Sequence, residues 1–61
     1  MKIKFVRQYT TPVAGNQFRI YEDEDGNRVD VKIREGRESV PLLTNAEAKT
    51  EAVRRFQGRR H

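Results

Sequence analysis

The chain has 61 residues, of which 13 are Lys or Arg, 9 are Asp or Glu and none is Cys, giving a formal charge of +4. A chain this short buries only about 60% of its unfolded surface, so one small domain with a thin core is the ceiling, and an enclosed enzyme cleft is not expected. Without Cys there is no disulfide scaffold and no thiolate metal site; the single His, at position 61, builds neither a His-ligated site nor a buried triad.

In chain order, Lys2-Ile3-Lys4-Phe5 alternates polar and apolar, the period of a half-buried strand. Arg7 and Tyr9 continue the odd-numbered face, while Val6 breaks the pattern or marks a bulge. Thr10 to Asn16 carries Pro12 and Gly15 and reads as a connection. Gln17 to Glu22 alternates again, with Phe18 and Ile20 assigned inward and Gln17, Arg19 and Tyr21 outward. Asp23-Glu24-Asp25-Gly26-Asn27 is a turn, because Gly and Asn tolerate the positive φ angles that hairpins need. Arg28 to Arg34 gives the cleanest alternation, with Val29, Val31 and Ile33 on one side and Arg28, Asp30, Lys32 and Arg34 on the other.

Gly36 ends this strand, and residues 37 to 43 connect it to a helix. Thr44-Asn45-Ala46-Glu47 fits a capping box, and Leu43 with Ala48 has the spacing of a hydrophobic staple. Ala48, Ala52, Val53 and Phe56 form a narrow apolar stripe, Glu51 and Arg55 are spaced for an ion pair, and Gly58 suits the position beyond a helix end. The expected fold is α+β: a three-stranded antiparallel sheet with one C-terminal helix packed on one face, over residues 1–57, and a basic tail at 58–61. The predicted core is Ile3, Phe5, Phe18, Ile20, Val29, Val31, Ile33, Leu42, Leu43, Ala48, Ala52, Val53 and Phe56.

One helix leaves the second face of the sheet in water. Strand parity assigns to it Lys2, Lys4, Val6 and Gln8, then Gln17, Arg19 and Tyr21, then Arg28, Asp30, Lys32 and Arg34, which is six cations against one anion. Such a face suits nucleic acid: Lys and Arg neutralise phosphates, Arg and Gln read base edges, and Tyr adds stacking area. Arg59 and Arg60 in the tail extend the set along a phosphate backbone. The plainer explanation is that cations on a solvated face give solubility and keep strand edges apart.

The order β-β-β-α resembles the arm-type DNA-binding domains at the N-termini of phage and transposon tyrosine integrases. Phe18-Arg19-Ile20-Tyr21, the Asp25-Gly26-Asn27-Arg28 turn, the alternating third strand and Leu43-Thr44-Asn45-Ala46-Glu47-Ala48 carry the resemblance, over about residues 16 to 57. It implies a sheet face docked in the DNA major groove, with Arg19, Tyr21, Arg28, Lys32 and Arg34 as contacts. The 36–43 connector is longer than that pattern, and Glu22 to Asp25 makes its hairpin tip more acidic.

The acidic tip is not an EF-hand loop, since its Gly comes two places early and strands flank it. No nucleophile–base pair and no phosphate-cradling loop is present, so no enzyme, cofactor or metal is expected. The leading expectation is a non-enzymatic, phage-like module that binds duplex DNA. The alternative is a small regulator or inhibitor that binds a host protein through its charged faces or a strand edge. Single-stranded RNA is a third ligand, with one Tyr expected on the face for stacking. A cytoplasmic location, no membrane contact, and a monomer or weak homodimer complete the expectations.

Overall fold

A computed structural model describes residues 2–36 and 40–58 of the chain. Strands β1 (Lys4–Thr10), β2 (Gln17–Glu22) and β3 (Arg28–Arg34) pair antiparallel in the order β1-β2-β3, and helix α1 (Asn45–Gly58) follows. The expected β-β-β-α order is therefore the observed one.

β3 and α1 make most of the core. Val29, Val31 and Ile33 are buried at alternate positions, and the strand's other residues are not. Ala48, Ala52 and Phe56 recur every four residues on α1, so they lie along one stripe of the helix. Both alanines have no exposed surface, which lets the helix axis sit close to the sheet before Phe56 fills the remaining gap. Tyr21 joins this cluster from β2, and Ile3 and Leu43 close its margins.

The helix starts as its sequence dictates. The Thr44 hydroxyl accepts from the Glu47 amide at 3.1 Å, and the Glu47 carboxylate accepts from the Thr44 amide at 2.8 Å. Two N–H groups without helical partners are thus satisfied reciprocally. The Glu51–Arg55 pair forms at 3.7 Å. Gly58, expected beyond the helix, is its last residue.

The turns fix the register. In the β2–β3 hairpin the Asp23 carboxylate accepts from the amides of Asp25 and Asn27, and Gly26 takes a φ of +85°. The acidic tip is thereby held by one of its own carboxylates. At the other end, the Asn16 side chain accepts from the Gly36 amide at 2.6 Å and ties the β1–β2 loop to the end of β3.

The sequence-derived faces of β1 and β2 require correction. Tyr21 pairs with Val29 and Arg19 with Val31, so both lie on the helix side; Phe18 pairs with Lys32 and Ile20 with Asp30, on the open side. The cause is the hairpin register. The pairing of Glu22 with Arg28 across the loop makes Glu22 share the outward face of Arg28. Tyr21 then has to point inward, and it is 2% exposed. On β1 the register shifts between Phe5 and Arg7, leaving Val6 as the extra residue of a bulge. Beyond it the parity reverses: Arg7 and Tyr9 move to the open face and Gln8 to the helix side, opposite Arg19. Among the other expected core residues, Leu42 and Phe5 are about half exposed (51% and 46%), and Val53 is half-buried. Phe18 and Ile20 pack outside the main core, on the open face.

Candidate nucleic-acid interface

The open face is organised in three rows that cross all three strands. The first is Lys4–Glu22–Arg28, the second Arg7–Ile20–Asp30, and the third Tyr9–Phe18–Lys32. Four cations and two anions occupy these nine positions, and every cation stands on an outer strand. The central strand contributes Phe18 and Ile20 as an apolar strip, with Glu22 at one end.

Row one is a compact ion network. Glu22 accepts from Arg28 at 2.9 Å and from Lys4 at 3.1 Å. Those two contacts, Arg28 first, hold the Glu22 carboxyl below its ordinary value. Glu22 aligns the two cations across the sheet and partly neutralises them.

Rows two and three are joined by one side chain. The Tyr9 hydroxyl donates to the Asp30 carboxylate at 2.6 Å, from β1 to β3. Two strand spacings, roughly 10 Å, separate those backbones, so the Tyr9 side chain must run along the sheet across β2. The Phe18 ring lies nearly parallel to it, with centroids 5.3 Å apart and planes inclined by 12°. These side chains help cover Ile20, which is only 9% exposed although no helix covers this side. The hydrogen bond to Asp30, then burial and the carboxylate's charge, raise the Tyr9 pKa, while Arg7 opposes them. The Arg7 guanidinium stands 5.7 Å from the Tyr9 ring centre. Lys32 pairs with Glu35 at 3.0 Å.

The structure thus brings together Lys4, Arg28 and Lys32 from the expected set and separates Arg19 and Tyr21 from them. Lys2 is exposed before β1, with its amide donating to Glu24 at 2.8 Å. Arg34 ends β3, half-buried. Arg59 and Arg60 lie outside the described residues. Arg7, Tyr9 and Phe18 were missed. Loop arithmetic would have found Phe18: once β3 parity is known and Glu22 is paired with Arg28, every residue of β2 has its face. Arg7 and Tyr9 required the bulge, which the out-of-place Val6 hints at without locating.

On the helix side, Arg19 is held in a fixed pose. Its Nε donates to the Tyr21 hydroxyl at 3.0 Å, its Nη1 donates to Gln8 Oε1 at 3.1 Å, and its guanidinium carbon lies 3.9 Å from the Phe5 ring centre. Helix α1 packs on β3 and to a lesser extent on β2, and does not pack on β1, which supplies Phe5 and Gln8 to this group.

Among the described residues no cluster of His, Asp or Glu is arranged to hold a metal ion, and no helix is long and apolar enough to cross a membrane. No family model, no curated protein and no solved structure matches the chain.

Proposed function

We propose that the chain is a non-enzymatic DNA-binding module, related to those of phages and mobile elements, that lays the helix-free face of its sheet against duplex DNA. The supporting observation is the division of labour on that face: cations on the two outer strands, Lys4 and Arg7 on β1 and Arg28 and Lys32 on β3, flank an apolar central strand. The two basic borders are roughly 10 Å apart at the backbone, a width that a major groove of about 12 Å admits, with Lys4 and Arg28 drawn toward Glu22 on the central strand. The stacked Tyr9 and Phe18 rings, over the buried Ile20, then face the groove floor, where thymine methyl groups offer apolar contact. Asp30, fixed through one oxygen by Tyr9, keeps acceptor capacity for a cytosine amino group. The resemblance to integrase arm domains supports docking by a sheet face through the shared element order and turn; of the contacts it implies, Arg28 and Lys32 stand on the open face and Arg19 and Tyr21 on the other.

Fluorescence anisotropy of labelled duplex DNA across a salt series tests this. With about four phosphates neutralised, affinity should fall by roughly two orders of magnitude between about 50 and 200 mM salt. Absence of binding at the low end, or a flat salt response, contradicts it. A matched single strand serves as the comparison; tighter binding to that strand would assign the Tyr9–Phe18 pair to base stacking instead.

A further inference from the structure

The two outer edges of the sheet are treated differently. On β3 the Asp30 carbonyl accepts from the Arg55 guanidinium at 2.6 Å, and the Ile33 carbonyl accepts from the Leu42 amide at 2.7 Å. Helix and connector thus supply donors that close this edge. β1 is the opposite edge, and among the described residues no side chain or loop bonds to its outer backbone groups. An unpaired row of N–H and C=O groups is a template for another strand.

What surrounds β1 limits what that strand can be. Arg7 pairs with Ile20 and the next residue, Gln8, pairs with Arg19, so the two arginines stand on opposite faces beside the same stretch of edge. Neither has a carboxylate partner among the described residues, in contrast to Lys4, Arg28, Lys32, Arg54 and Arg55. Arg19 is preorganised over Phe5, with two of its five N–H groups engaged. Phe5 itself is 46% exposed beside it. A second copy of β1 would set cation against cation, Lys4 and Arg7 against their own counterparts in a parallel pair or against each other in an antiparallel pair centred between them, which like-charge pairing disfavours. Successive residues of an added strand point to opposite faces, so two adjacent acidic residues would meet Arg7 and Arg19 simultaneously.

We infer that β1 is a docking edge for an extended acidic segment of a protein partner, which adds as a fourth strand and places adjacent carboxylates on Arg7 and Arg19 and an apolar residue against Phe5. Main-chain hydrogen bonds supply affinity, and the two arginines and Phe5 select the sequence.

A fluorescein-labelled peptide, Thr-Val-Asp-Glu-Val-Thr-Val-Thr, tests this with two N-methylated versions, one methylated at odd and one at even positions. Strand addition uses the N–H groups of only one alternate set. One methylated peptide should therefore bind like the parent, and the other should lose tenfold or more. Equal binding by both means ion pairing without strand addition and overturns the inference, as does equal loss by both or no binding of the parent at about 1 mM. Arg19→Ala should weaken the parent about threefold, the scale of an exposed ion pair. Amide perturbations should map to Lys4–Thr10 and spare the β3 edge; perturbations confined to β3 would also overturn it.

Discussion

β1 and β3 are each seven residues long and flank the same central strand, yet they behave as opposites. β3 buries every second residue under α1, and its outer edge is closed by Arg55 and the connector. β1 buries no residue fully, carries a bulge, and leaves its outer edge open. The difference follows from coverage. A strand under a helix must keep Val29, Val31 and Ile33 turned inward, because a one-residue slip would turn them into water; the register shift that β3 does carry falls at its very end, between the Lys32–Phe18 and Arg34–Gln17 pairs. A strand that no helix covers tolerates a bulge in its interior, and that bulge hands Arg7 and Tyr9 to the open face.

The largest effect that separates these regions is expected in the core. Phe56→Ala should cost about 3–5 kcal/mol, comparable to the whole stability of a chain this small, so far-UV circular dichroism should show an unfolded protein. Phe5→Ala on the uncovered β1, where the ring is half exposed, should cost about 1 kcal/mol and leave a cooperative thermal transition. Equal destabilisation by the two would erase the proposed contrast. Next is the helix start, where Thr44→Ala should remove about 1 kcal/mol and lower the melting temperature by roughly 4–8 °C. Arg55→Met should cost less, about 0.5–1 kcal/mol, and should make the β3 edge prone to pairing. Sedimentation velocity would show the resulting self-association, and an unchanged monomer would mean that Arg55 does not guard that edge.

The smallest effect concerns pH. Glu22 titrates below its ordinary value of 4.5 because Arg28 and then Lys4 bind its charged form. A carboxyl depressed in the folded state contributes stability that is complete above the unfolded value and is lost as pH falls through the folded one. Melting temperatures should therefore decline below about pH 4.5, and Glu22→Gln should flatten part of that decline. An identical acid profile for the variant would show that the row-one network contributes nothing to folding.

How much of this was legible depends on which residues carried the signal. β3 and α1 read directly from the sequence, since Val29, Val31 and Ile33 alternate without exception and Thr44 and Glu47 cap as their spacing requires. β2 misled because Phe18 and Ile20 are more apolar than Arg19 and Tyr21, and hydrophobicity alone assigns the first pair inward. Pairing decides otherwise, and Tyr21 accommodates burial because its hydroxyl reaches Arg19 at the margin of the core. Two residues of the expected interface were thus misplaced by face: Lys4, Arg28 and Lys32 stand on the open face, and Arg19 and Tyr21 do not. The Tyr9–Asp30 bond links residues 21 apart on non-adjacent strands, and no local pattern encodes it.

The most direct test compares two variants in the duplex-DNA anisotropy assay at about 50 mM salt: Arg7→Ala with Lys32→Ala on the open face, and Arg19→Ala on the helix side. Binding by the open face predicts that the double variant loses roughly tenfold or more, from two lost phosphate contacts, while Arg19→Ala binds like the parent. If Arg19→Ala loses affinity as severely as the double variant, or if the double variant loses none, the open face is not where DNA binds.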